Sequence, residues 1–267
     1  MNIDPQKTKL AKEYKHSRPL TACHWSPASR FLFFGAEDNL VHRYELASGK
    51  TISLEAHDSW VRGFASSPDG KTLYSSSYDG KLGFWPADAE KPEPIRMIDA
   101  HAGWVRAVAV SPDGKLAATC GNDLLVKLWE TSSGKLVKTF AGHKRHVYNV
   151  AFSQDSTAVF SCDLMGVVHR WTMDADKPQE LVTVKALHKY DKTFRADIGG
   201  ARGIALRDDG QQLALGGITN VSNAFAGVGE VAFALINVGR QQMRLQFDRA
   251  VVSFSSAVVV NHHAVQH

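Results

Sequence analysis

The chain has 267 residues, 44% of them hydrophobic and 22% charged, with a formal net charge of +4 at pH 7. That composition is ordinary for a globular protein and excludes extended disorder, and no run of Lys and Arg forms the stripe expected of a nucleic-acid binder. Three cysteines, Cys23, Cys120 and Cys162, are too few and too odd in number for a disulfide framework and read as buried thiols. No segment approaches the length of a membrane span, and residues 1–14 lack a signal peptide's apolar stretch, so the expected location is cytoplasmic.

The chain then falls into units. The first, about residues 16–56, opens at His16, turns at Pro27 and carries Asp38 and Tyr44, with Phe34 between Pro27 and Asp38. The second, 57–100, runs from His57 through an alternating stretch at 60–65 to a Ser-Pro-Asp-Gly turn at 67–70. There Pro presets φ and Gly accepts a positive φ, so the chain reverses. A run at 71–75 ends on Ser75, an Asp79-Gly80 turn follows, and a strand at 81–85 ends in Trp85 before a fourth run at 95–98. The third unit, 101–142, repeats this with His101, the turn at 111–114, Thr119, Asp123, Trp129 and a last run at 136–140. The fourth, 143–187, supplies His143, Ser161 and Trp171.

The spacing is fixed inside units and variable between them. His57 to Ser75, His101 to Thr119 and His143 to Ser161 are each 18 residues, and each Trp lies 28 residues from its His. The steps from His16 to His57, His101 and His143 are 41, 44 and 42 residues. Rigid units joined by adjustable loops are a repeat architecture, here of four short antiparallel strands per unit. Ser, His and Asp in one segment could suggest a nucleophile and its base. A catalytic constellation occurs once in a domain, however, and this one recurs in consecutive units. The residue types also form a complete hydrogen-bond relay: indole only donates, hydroxyl and neutral imidazole do both, and carboxylate only accepts. A structural brace is therefore the expected role.

With this pattern on 9–247, the chain resembles the WD-repeat β-propeller family, most closely around Trp85, Trp129 and Trp171; each is followed by Pro86, Glu130 or Thr172 rather than the family's usual Asp. The resemblance implies an all-β fold: a β-propeller of four-stranded antiparallel blades, five of them recognisable plus an incomplete sixth. It also implies that residues 9–14, whose pattern matches 135–140, form an N-terminal strand closing the last blade, and that 1–267 is one propeller domain.

Elsewhere the pattern weakens. Phe34 occupies a Ser/Thr place, leaving the first network incomplete. Met165 occupies the fourth unit's Asp place; either Asp163, two residues earlier and on the same strand face, substitutes for it, or the network has no carboxylate. The fifth unit, 188–249, keeps the strand pattern at 201–206, the turn at 208–210, 212–215, 230–237 and 242–247, but has Leu215 and Thr219 in the Ser and Asp places. Residues 219–229 read as an elongated loop, functional or disordered. A partial unit, 250–267, lacks its turn, second strand and Trp, which reads as truncation, a frame shift, or completion by a partner. His262, His263 and His267 read as a solvated tail, and neither a metal nor a cofactor is expected.

If the His- and Asp-bearing loops share one end of the blades, then Trp60, Arg62, Tyr78, Trp104, Arg106, Asn122, His146, Tyr148 and Arg202 crowd the mouth of the central channel. Trp, Tyr and Arg dominate binding hot spots. One reading makes these residues a partner-binding surface; the other makes the tryptophans covers for sheet edges, with Arg62 and Arg106 paired to local carboxylates. The expected function is a non-catalytic scaffold for a protein or peptide partner through this face, with no small-molecule substrate and no membrane. The alternatives are a propeller module of a larger enzyme or complex, or a nucleic-acid-binding propeller, which the modest charge disfavours.

Overall fold

A computed structural model describes residues 13–219, 230–239 and 242–247. Five four-stranded antiparallel sheets follow one another along the chain. The first blade holds β1 (Leu20–Trp25), β2 (Phe31–Ala36), β3 (Val41–Glu45) and β4 (Thr51–Leu54). The second holds β5 (Val61–Ser66), β6 (Thr72–Ser77), β7 (Lys81–Pro86) and β8 (Arg96–Asp99). The third holds β9 (Val105–Val110), β10 (Leu116–Gly121), β11 (Leu125–Glu130) and β12 (Leu136–Ala141). The fourth holds β13 (Val147–Phe152), β14 (Ala158–Asp163), β15 (Val167–Thr172) and β16 (Gln179–Thr183). After a two-stranded hairpin, β17 (His188–Asp191) and β18 (Ala196–Gly199), the fifth blade holds β19 (Ala201–Leu206), β20 (Gln212–Thr219), β21 (Glu230–Asn237) and β22 (Gln242–Phe247). Strands pair in chain order, and the first strands of successive blades lie side by side, as in an all-β propeller.

The turns explain why the strands end where they do. At 67–70 the Gly70 N–H donates to the Ser67 carbonyl at 2.8 Å, and Gly70 takes φ +71°. The Ser67 hydroxyl donates to Asp69 and accepts the Thr72 N–H, so the side chains replace ladder bonds lost at the reversal. The turn at 111–114 repeats this geometry, and in the fourth blade Ser156 holds a φ of +60° where the other two have Gly.

The core lies between blades, in four clusters. Each of the first three buries the following blade's tryptophan: Trp85 with Phe31, Phe33, Val41 and Leu54; Trp129 with Tyr74, Leu82 and Phe84; Trp171 with Val126, Leu128 and Phe140. Pairing a sheet face with its neighbour removes both apolar faces from water, which one short sheet cannot do alone. Between the fourth and fifth blades the cluster holds no tryptophan and is mostly aliphatic, with Leu187, Leu213, Leu215 and Ile236 around Phe160. The strand register Leu213↔Ile236 puts Ile236 where Leu73↔Trp85 puts the indole. Of the expected strand at 9–14, residues 9–12 lie outside the described residues and Glu13 and Tyr14 are not in a strand; the unit from 250 onward and most of the loop at 219–229 also lie outside the described residues.

Candidate protein-interaction face

The recurring polar residues meet as relays. Trp85 Nε1–H donates to Ser75 Oγ at 2.8 Å, Ser75 Oγ lies 2.7 Å from His57 Nε2, and His57 Nδ1 lies 2.8 Å from Asp79 Oδ2. Because the carboxylate only accepts, the imidazole proton sits on Nδ1 and Nε2 accepts from the serine. Trp129, Thr119, His101 and Asp123 repeat this at 2.8 Å throughout. In the fourth blade Trp171 and His143 each lie 2.7 Å from Ser161 Oγ, and His143 Nδ1 lies 2.8 Å from Asp163. Asp163 Oδ1 also accepts the N–H groups of Met165 and Val167, so this carboxylate spans the turn that would otherwise carry its own aspartate.

Ser75, Thr119 and Ser161 are fully buried, and each hydroxyl oxygen already accepts an indole N–H. Burial alone would raise the Asp79 and Asp123 carboxyls. The histidine partners and the backbone N–H groups of Lys81 and Leu125 outweigh it and hold both below the usual carboxylate range. Each brace ties the loop ahead of a blade to its inner strands.

The exposed counterpart arises from an irregularity that recurs in every described blade. Pairing of the first two strands skips one residue: Val61 pairs with Ser77 and Gly63 with Ser76, leaving Arg62 as a bulge. The same skip occurs at Thr21, Arg106, Tyr148 and Arg202. A bulge re-aims the side chain of its extra residue. Four of the five bulged residues are Arg or Tyr, and they gather beside the aromatic residues of the adjoining loops.

Tyr78 stacks on Trp104 with ring centroids 3.9 Å apart and planes at 12°, and Trp60 stacks more loosely on Tyr78 at 6.3 Å and 26°. Backbone bonds fix this arrangement, since Tyr78 N–H donates to the Trp60 carbonyl and Asn122 N–H to that of Trp104. The Arg106 guanidinium sits 4.8 Å from the Trp104 ring centre and 4.6 Å from that of Tyr148, donating to Asn122 Oδ1 and the Tyr78 hydroxyl. Arg202 lies 4.5 Å from the Tyr148 ring centre and donates to the Gly199 carbonyl; Arg62 lies 5.5 Å from Tyr78 and donates to the Thr21 carbonyl. Burial, then the charges of Arg106 and Arg145, lower the His146 imidazole. Trp60 and Trp104 remain 39% and 42% exposed, enough for a partner to cover.

Among the described residues, Arg62, Arg106 and Arg202 form no ion pair with a carboxylate, unlike the alternative reading that pairs the first two locally. Their partners are rings, carbonyls, an amide and the Tyr78 hydroxyl. The bulge itself has no residue signature in the sequence, because it is a property of how the first two strands pair. Nor did the sequence point to the pair His188 and Asp197, 2.8 Å apart across the hairpin, with Arg145 on the same carboxylate at 2.7 Å. Register on the first strands puts Asp197 where the other blades carry His16, His57, His101 and His143.

The family profile described as WD domain, G-beta repeat matches residues 8–45, 49–86, 92–130 and 134–168, together more than half of the chain. The chain belongs to the WD-repeat family. Three of the matched segments begin at or ahead of an outer strand and run on into the next blade, so the sequence repeat straddles two sheets. Among curated relatives, WD repeat and FYVE domain-containing protein 2 of Caenorhabditis briggsae is 28% identical over 34% of this chain and 22% of its own length. Transcription initiation factor TFIID subunit 5 of Caenorhabditis elegans is 25% identical over 69% of this chain and 28% of its own. Periodic tryptophan protein 2 of Arabidopsis thaliana is 25% identical over 78% of this chain and 22% of its own. The chain thus spans less than a third of each of these relatives.

Proposed function

We propose that this WD-repeat propeller is a non-catalytic scaffold that receives an acidic, aromatic-containing segment of a protein partner on the face bearing the bulged first strands. Propellers of this family scaffold protein interactions; the face and the chemistry of the partner are the finer reading. One observation carries it: three guanidiniums without carboxylate partners are held against an exposed stack of Trp60, Tyr78 and Trp104 and against Tyr148. Ring stacking holds these long side chains in place, so a partner carboxylate meets pre-ordered donors at lower entropic cost. A cytoplasmic location goes with this reading, supported by three unpaired thiols, of which Cys120 and Cys162 are buried and pushed up by desolvation.

Selection of peptides from a random library on the immobilised protein tests it. The expected peptides combine Asp or Glu with an aromatic residue. Trp60→Ala with Arg62→Glu is expected to weaken them at least tenfold by fluorescence anisotropy, a loss of about 1.4 kcal/mol, with the melting temperature moved by less than about 3 °C. Peptides without acidic residues, or affinity unchanged in the variant, would contradict the chosen face. A nucleic-acid ligand would instead show affinity falling linearly on a log–log plot against salt, with a slope of several phosphate contacts.

A further inference from the structure

The first blade departs from the others at its brace. Phe34 replaces the hydroxyl residue, and its ring stacks on His42, with centroids 4.7 Å apart and planes at 17°. With no hydroxyl to hold, His16 turns Nε2 rather than Nδ1 toward the carboxylate, 3.1 Å from Asp38 Oδ2. His42, two residues before Tyr44 on β3, brings a second Nε2 to the same oxygen at 3.0 Å. One carboxylate thus faces two imidazole Nε2 atoms, whereas Asp79, Asp123 and Asp163 each face a single Nδ1.

We propose that His16, Asp38 and His42 form a binding site for a divalent transition-metal ion of the zinc class. One donor atom from each lies within 4.8 Å of the other two. Around an ion with bonds of about 2.0–2.1 Å, tetrahedral ligand atoms stand about 3.3 Å apart. The two N···O separations therefore need only a few tenths of an ångström of expansion. Two imidazoles and one carboxylate suit zinc, nickel, cobalt or copper far better than calcium or magnesium, which prefer all-oxygen sets.

The surroundings support the ligands. Asp38 Oδ1 accepts the Leu40 N–H, Ser53 Oγ lies 2.9 Å from His42 Nδ1, and Phe34 fixes the plane of the His42 ring. Such outer contacts orient metal-bound histidines. With the ion on Nε2, each imidazole holds its proton on Nδ1, where His42 faces the Ser53 hydroxyl. His42 is 3% exposed, while the side chains of His16 and Asp38 are 23% and 22% exposed, which gives the ion a way in and leaves room for water as the remaining ligand.

Titration of the full chain with Zn2+ and, separately, Co2+ tests the site, with calorimetry for stoichiometry and the visible spectrum of Co2+ for geometry. His262, His263 and His267 are a competing source of ligands, so a second protein carries alanine at all three. The expected result is one ion per chain, four-coordinate by the cobalt spectrum, unchanged in the tail variant. His16→Ala and Asp38→Asn should each weaken it at least tenfold. His16 precedes the first strand, so its variant tests the site without entering the core, and circular dichroism checks its fold. Binding within twofold of the parent in a folded His16→Ala protein, or binding lost with the tail histidines, would overturn the proposal.

Discussion

A buried imidazole does two different jobs in this chain, depending on what meets its two nitrogens. In His57, His101 and His143 both nitrogens have partners. His169, stacked on His143 at 4.2 Å, has a buried Nδ1 with no partner, and burial, then the neighbouring His143, push its imidazole down to about 4. In the unfolded chain the ring titrates at its ordinary value of 6.5. As pH falls from there toward 4, the unfolded state takes up a proton that the native ring refuses, and stability drops through that window. Asp79 and Asp123 act lower on the scale: their depressed carboxyls stabilise the fold at neutral pH, and that contribution goes only as pH falls through the depressed values. His169→Phe keeps the stack and removes the proton. Urea unfolding at pH 7.5 and pH 5 should show a smaller stability difference in the variant than in the parent; an equal difference would contradict the assignment.

At the scale of the blade, one position serves opposite ends. Ser75, Thr119 and Ser161 tie their sheets by hydrogen bonds, whereas Leu215, in the same register, packs against Leu213 and Ile236 with none of its surface exposed. Leu215→Ser gives the fifth blade the hydroxyl of the others but no imidazole or indole to meet it. It leaves a cavity around an unpaired polar group, and chemical denaturation should register a loss of about 3–5 kcal/mol; a neutral or stabilising effect would show that the blade still contains a latent relay. Strand order and the second, third and fourth braces were legible because residue types recur at fixed offsets. Asp163 was legible only as one of two options, since strand periodicity puts it on the correct face without proving contact. The hairpin of β17 and β18 was not legible as such. Residues 188–199 carry apolar and polar residues without the Pro-Asp-Gly turn that marks the reversals at 67–70 and 111–114, and Gly199 and Gly200 take φ of +94° and +95° to bring the chain back into the blade. The bulges escaped for a simpler reason: a skipped ladder bond depends on pairing with the neighbouring strand, and no single-strand pattern encodes it. His42 escaped too, because a histidine on a strand face shows nothing until Asp38 and His16 are seen beside it.

Across the whole molecule, the polar quartets and the bulged face divide the work. The quartets lie inside the blades and hold each incoming loop to its sheet; the bulges turn Arg62, Arg106, Tyr148 and Arg202 outward from the first strands of those and the fifth blade. Variants of the two sets should therefore separate stability from binding. The most direct measurement is the unfolding free energy of Ser75→Ala by equilibrium denaturation. Removing that hydroxyl strands both His57 Nε2 and Trp85 Nε1 in a buried setting, and the expected loss is about 2–5 kcal/mol, with partner affinity of the folded fraction unchanged. A loss below about 0.5 kcal/mol, the range of an ordinary surface change, would mean that the quartets do not brace the propeller and would contradict the account.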